Sequence, residues 1–159
     1  MFQGVKMNNE LLLRPANKSD IESLVEFNYR MALEAEDKEL DRDCLQKGVL
    51  GILDDVSKGF YLVAEHNIDG VIASLMITKE WSDWRNGYFW WVQSVYVKAD
   101  YRKQGVYKRL YEKVKEQAKD DGNSCGIRLY VDKENLIAQR AYLALGMKET
   151  FYRLFEEET

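Results

Sequence analysis

A strand-like run, YFWWVQSVYV (Tyr88–Val97), passes through a basic turn holding one glycine into an amphipathic helix, and this junction constrains the fold most. The run is rich in aromatic and β-branched residues, which suit a pleated surface. Beyond the turn, Tyr107, Leu110, Tyr111, Val114 and Ala118 recur at helical spacing. DDGN ends that helix, and GIRLYV follows as a short strand. Strand, helix and strand in this order make a crossover, and crossovers join parallel strands. The chain is therefore α/β.

The remaining segments extend this unit in both directions. LLLRP reads as a first strand, closed by Pro15, the only proline. NKSDIESLVEFNYRMALEAE reads as a helix: Asn17 or Ser19 can cap it, with Asp20 or Glu22 three residues on. Its apolar stripe is Ile21, Leu24, Val25 and Ala32. DRDCLQKGVLGILDDVSKG gives a second helix with Leu45, Val49, Ile52, Leu53 and Val56 inward and Gly59 at its stop, although Gly48 and Gly51 count against it. FYLVAEH and VIASLMITKEW form a hairpin around NIDG. NLIAQRAYLALG is a helix stopped by Gly146, and MKETFYRLFEEE closes the chain with one or two strands. The expected order is β-α-α-β-β-β-α-β-α-β(-β), a mixed sheet with helices on both faces.

At 159 residues the chain suits a single domain, 1–159, with residues 1–9 read as a disordered N-terminal extension. A net charge of −4 does not favour nucleic acid or an anionic membrane as partner. Cys44 and Cys125 stand far apart and outside any CxxC, which suggests reduced thiols in a cytoplasmic protein. With His66 the single histidine, no metal site is expected. No apolar run reaches the roughly 20 residues that span a bilayer.

The turn itself suggests a ligand. Helix N-termini present unpaired N–H groups and partial positive charge. Arg102, Lys103 and Lys108 add cationic side chains, and Gly105 lets the backbone approach a ligand without a Cβ between. Successive turn amides can form an anion nest, which suits a diphosphate. The alternative is a capped helix with a solvated basic turn. Neither a P-loop nor a dinucleotide fingerprint occurs.

VQSVYVKADYRKQGVYKRL resembles the acyl-CoA-binding core of the GNAT superfamily of N-acetyltransferases, in which a strand meets Arg/Gln-x-x-Gly-x-Gly/Ala opening a helix. Arg102 and Gly105 match; Tyr107 stands where a small residue is usual. NLIAQRAYLALGM is similar to the family's Asn-x-x-Ala-x-x-x-Tyr-x-x-x-Gly-Phe segment through Asn135, Ala138, Tyr142 and Gly146.

The resemblance implies a single-domain GNAT-type fold, a mixed, mostly antiparallel, twisted sheet flanked by helices. It implies transfer of an acetyl group from acetyl-CoA to a primary amine of a small molecule, by direct attack in a ternary complex. A protein or peptide acceptor is the alternative within the class, and a non-catalytic acyl-CoA sensor the alternative outside it. Implied cofactor contacts are the backbone of Val95, Tyr96 and Val97 along the pantetheine arm and the turn residues Arg102, Lys103, Gln104, Gly105, Val106, Tyr107 and Lys108 around the phosphates. Asn135, Ala138 and Tyr142 complete the cofactor set, and Tyr142 is the candidate general acid for the departing sulfur. Gln93 stands where many relatives carry a glutamate base and could orient a water. Glu80, Asp83, Glu34, Glu36 and Asp37 are the other candidate bases.

On the acceptor side, LEAEDKELDRD is acidic and attracts cations. Trp81, Trp84, Phe89 and Trp91 either wall a pocket or divide between the core and a homodimer contact, and Tyr152 and Arg153 border the same cleft.

Overall fold

The computed structural model describes residues 11–159, so the extension expected over residues 1–9 lies outside the described residues. The chain forms two compact units, Met1–Leu129 and Tyr130–Thr159.

The first unit is built on a five-stranded sheet in the order β1 (Leu11–Pro15), β2 (Phe60–His66), β3 (Gly70–Ser82), β4 (Gly87–Val97) and β5 (Ser124–Arg128). Helices α1 (Ile21–Glu36) and α2 (Arg42–Asp54) lie between β1 and β2 in sequence, and α3 (Val106–Asp120) lies between β4 and β5. Neighbours from β1 to β4 pair antiparallel, whereas β4 and β5 pair in parallel. The 15 residues of α3 carry the chain back about 22 Å, which lets β5 start beside the beginning of β4.

Both faces of the sheet are covered, so β2 and β3 read as nearly continuous apolar runs. On one face, Leu24, Phe27 and Val49 of α1 and α2 pack against Tyr61, Val63 and Tyr96. On the other, Val106, Leu110 and Val114 of α3 pack against Leu62, Leu75, Ile77, Trp90 and Val92. Each large apolar side chain so buried stabilises the fold by about 1.5–3 kcal/mol.

The entry to α1 is a capping box. The Asn17 side chain accepts the Ser19 amide at 2.9 Å, and the Asp20 carboxylate accepts the Asn17 amide at 2.8 Å. Asp20 is only 3% exposed. Arg14 of β1 donates to both its oxygens, at 2.8 and 2.9 Å, and to Glu65 at 2.6 Å. The guanidinium holds the Asp20 carboxyl below the ordinary carboxylate range.

Helix α2 forms through Gly48 and Gly51, because Asp41 caps it on the Cys44 amide at 2.6 Å and Val49 anchors it in the core. Packing outweighs the roughly 1 kcal/mol that each glycine costs. The helix ends at Asp54, so Val56, expected to face inward, lies beyond it and is 88% exposed. Gly59 is required for a different reason from a helix stop. A Cβ there would sit 2.0 Å from the Ile77 carbonyl oxygen, so only glycine lets β2 begin against β3.

The second unit holds α4 (Leu136–Ala144). The Asn135 side chain caps it by accepting the Ala138 amide at 3.1 Å, and Gly146, at φ 87°, follows its end. The one or two closing strands expected in MKETFYRLFEEE do not form: residues 147–159 carry no strand. Phe151, Leu154 and Phe155 are exposed there. Strand propensity describes how side chains fit beside a partner strand, and within this unit no strand offers one.

Candidate functional site

The structural centre of the site is a defect in the β3–β4 ladder. Met76 faces Gln93 and Ser74 faces Tyr96, so Leu75 alone opposes both Ser94 and Val95. This bulge places Ser94 at φ 50°, a left-handed conformation unusual for a residue with a side chain. The buried Tyr61 phenol accepts the Asn28 side-chain amide at 3.0 Å. Burial raises the Tyr61 phenol above the ordinary tyrosine value.

Past the bulge, the Lys98 N–H donates to the Ile72 carbonyl at 2.9 Å. Antiparallel alternation then turns the N–H and C=O of Val97 to the other edge of β4. On that edge β5 pairs with β4 only from Tyr88 to Trp91. From Val92 onward, among the described residues of the first unit, β4 keeps only β3 beside it. The Tyr96 side chain belongs to the core on the α1 face, and its backbone pairs with Ser74.

The exposed edge runs directly into the turn. A single 3-10 turn at Ala99–Tyr101 leads to Lys103 at φ 59° and Gly105 at φ 77°. The α3 ladder starts with the Arg109 N–H on the Gly105 carbonyl at 3.1 Å. The amides of Val106 and Lys108 thus lie among the donors of the first turn, which a helix start leaves without i−4 carbonyl partners. Among the described residues no side chain caps this helix. A Cβ built on Gly105 meets nothing within 4 Å, so the glycine is required by φ and leaves open space above the turn.

Side chains around the turn divide in their roles. Tyr107 packs toward the α3-side core and stacks on Tyr111, ring centroids 6.1 Å apart. Gln104 donates to the Asp100 carbonyl at 2.7 Å, and Lys103 and Lys108 are exposed. Arg102 folds back: its Nε donates to the Val97 carbonyl at 2.8 Å and its Nη2 to Glu34 at 2.7 Å.

Gln93 donates through Nε2 to the Thr78 hydroxyl at 2.6 Å. Among the candidate carboxylates, Glu80 accepts from the Trp91 indole at 2.9 Å and from Arg128 at 3.1 Å, and Asp83 accepts the Trp84 amide at 2.9 Å. Glu34 holds Arg102 and Tyr96. The four aromatic residues do not share one wall. Phe89 is buried beneath the Arg128 guanidinium, 3.5 Å from its ring centre, while Trp84 is 85% exposed. Trp81 packs edge-on against Tyr88 at 4.9 Å.

In the second unit, Asn135, Ala138 and Tyr142 share α4 and its cap. The Asn135 side-chain oxygen is used by the Ala138 amide. Burial raises the Tyr142 phenol above its ordinary value, which keeps it protonated at neutral pH. Gln93, Val95–Val97 and Arg102–Lys108 follow one another along β4, the turn and α3 in the first unit. Tyr152 and Arg153 belong to the second unit and are exposed. Ser94, a serine inside a strand, carries no sequence signal for its place in the bulge. Glu34 is legible in sequence only as a candidate base, and its pairing with Arg102 and Tyr96 appears only across the fold.

The family model described as Acetyltransferase (GNAT) family matches residues 20–147. A possible acetyltransferase from Clostridium difficile 630 is similar at 44% identity and TM-score 0.88, over 95% of this chain and 99% of that one. A predicted acetyltransferase with acetyl-CoA from Clostridium acetobutylicum is similar at 21% identity and TM-score 0.76, over 92% and 96%. Aminoglycoside N-acetyltransferase AAC(6')-Iy in complex with CoA is similar at 18% identity and TM-score 0.76, over 98% and 99%. No curated protein matches the chain. Among the described residues, no helix is long and apolar enough to cross a membrane, and no cluster of His, Cys, Asp and Glu could hold a metal ion.

Proposed function

The chain belongs to the GNAT acetyltransferase family, and on that premise we propose that it moves an acetyl group from acetyl-CoA to a primary amine of a small molecule. The observation that carries the reading is the continuity of the bulged, one-sided stretch of β4 with the uncapped α3 turn. An extended pantetheine arm adds to the Val95–Val97 edge as a further strand would. The diphosphate then meets the turn amides from Lys103 to Lys108, with Lys103 and Lys108 adding charge. Residues 1–159 act in this reading as one N-acetyltransferase domain in the cytoplasm, where Cys44 and Cys125, both free, stay reduced.

The transfer proceeds by direct attack. The neutral amine nitrogen bonds to the thioester carbon, the bulge backbone near Val95 polarises the carbonyl, and the carbon–sulfur bond breaks. The Tyr142 phenol protonates the departing sulfur, and the surplus amine proton leaves through a water held by Gln93. Asn135 and Ala138 set the start of the helix that carries Tyr142. The acidic connection between α1 and α2 favours a cationic acceptor.

Thiol release from acetyl-CoA over a panel of small amines tests this: turnover with at least one small amine is expected. Turnover only on peptides would move the acceptor class. One observation favours a second reading, an acyl-CoA sensor: the base position holds Gln93, bound to Thr78, in place of a carboxylate. CoA binding with no turnover on any amine would establish the sensor.

A further inference from the structure

The geometry points to Glu34 of α1 as a positioning residue for the cofactor turn, acting through Arg102. The inference rests on reading that turn as the acyl-CoA site. A guanidinium serving phosphates directly keeps its fork of donors available for their oxygens. Here Nε and one N–H of Nη2, two of the five guanidinium donors, are held within the protein. Nε binds the Val97 carbonyl at 2.8 Å, and Nη2 binds Glu34 Oε2 at 2.7 Å. The other oxygen of Glu34 accepts the Tyr96 hydroxyl at 3.1 Å, and the Arg102 guanidinium lies 5.3 Å from the centre of the Tyr96 ring.

One carboxylate therefore joins the last turns of α1, the end of β4 and the first residue after the 3-10 turn. An isolated surface pair contributes little to stability. Geometry is what this one supplies. Directly after Arg102 the chain adopts positive φ at Lys103 (59°) and again at Gly105 (77°). Glycine takes this conformation freely, but at Lys103, which has a side chain, it persists where its surroundings over-determine it. Pinning Arg102 to Val97 and Glu34 fixes the point from which those turn amides are aimed. Glu34 thereby acts on cofactor affinity without touching the cofactor, and the diphosphate is held by backbone and lysines.

The test is calorimetric titration with CoA of the wild-type chain, Glu34→Gln, Arg102→Gln and the double variant. Each single change is expected to weaken CoA binding about three- to tenfold, with the double variant no weaker than the singles, because both remove one coupled unit. In steady state the KM for acetyl-CoA should rise in Glu34→Gln while kcat stays within about twofold, a split that general loosening of the fold would not give. If Glu34→Gln binds CoA as tightly as wild type, or more tightly, Arg102 is a phosphate ligand restrained by Glu34 and the inference fails. Should Glu34→Gln not fold, Glu34→Asp, which keeps the charge and shortens the reach, must show the same weakening. Absence of CoA binding by the wild-type chain would instead remove the acyl-CoA reading itself.

Discussion

The side-chain amide of Gln93 donates to the Thr78 hydroxyl at 2.6 Å, so the residue in the base position is fixed by the neighbouring strand. A carboxamide so held can orient water but cannot carry away a proton. Gln93→Ala should lower kcat roughly tenfold or more, within the range of acid–base contributions. Gln93→Glu places a carboxylate beside Thr78 and should match or exceed wild-type kcat at neutral pH. Steady-state rates with a fixed amine check both, and an unaffected Gln93→Ala removes the water-orienting role.

Tyr142→Phe should reduce kcat by about a hundredfold while the KM for acetyl-CoA changes little. Burial holds the Tyr142 phenol above the ordinary tyrosine value of about 10. The acid form is therefore present throughout the neutral range, and the contribution of Tyr142 is lost as pH rises through the raised value. A pH–rate profile should show this alkaline limb in the wild type and lose it in Tyr142→Phe.

Gly105 sits at φ 77° with open space above it. Gly105→Ala has no clash to relieve and should cost about 1 kcal/mol of stability for the left-handed conformation alone. Gly105→Asp adds a negative charge beside the turn amides and should abolish CoA binding. Thermal melts separate the first effect, and titration with CoA the second.

Asp20 is nearly buried between Arg14 and the Asn17 amide. Its folded carboxyl titrates below the unfolded value of about 3.9. The stability it contributes is thus fully present above that unfolded value and is lost as pH falls through the depressed folded value. Asp20→Asn leaves Arg14 without its partner and should cost about 3 kcal/mol at neutral pH. Denaturant unfolding at neutral and acid pH checks this: the gap between wild type and Asp20→Asn should narrow toward low pH.

Much of the fold was legible along the chain because the relevant forces are local or periodic. Tyr107, Leu110, Tyr111, Val114 and Ala118 announce a helix by spacing alone, and Asn17 with Asp20 announces its predecessor by hydrogen-bond reach. The Gly105 turn could be read as an uncapped helix start for the same reason. Misreadings occurred where a distant partner decides. Gly59 reads as a helix stop, yet the Ile77 carbonyl in another strand is what excludes a side chain there. The Phe151–Phe155 run reads as a strand, yet it carries none, because a ladder needs two members.

Periodicity and capping chemistry, encoded residue by residue, sufficed to assign the α/β class and the crossover helix with its glycine turn. The Ser94–Val95 bulge opposite Leu75, the release of β4 from β5 beyond Trp91 and the Glu34–Arg102 pair arose only when the chain closed on itself. Each depends on the register and distance of groups remote in sequence, and no local pattern of residue types encodes which two of them meet.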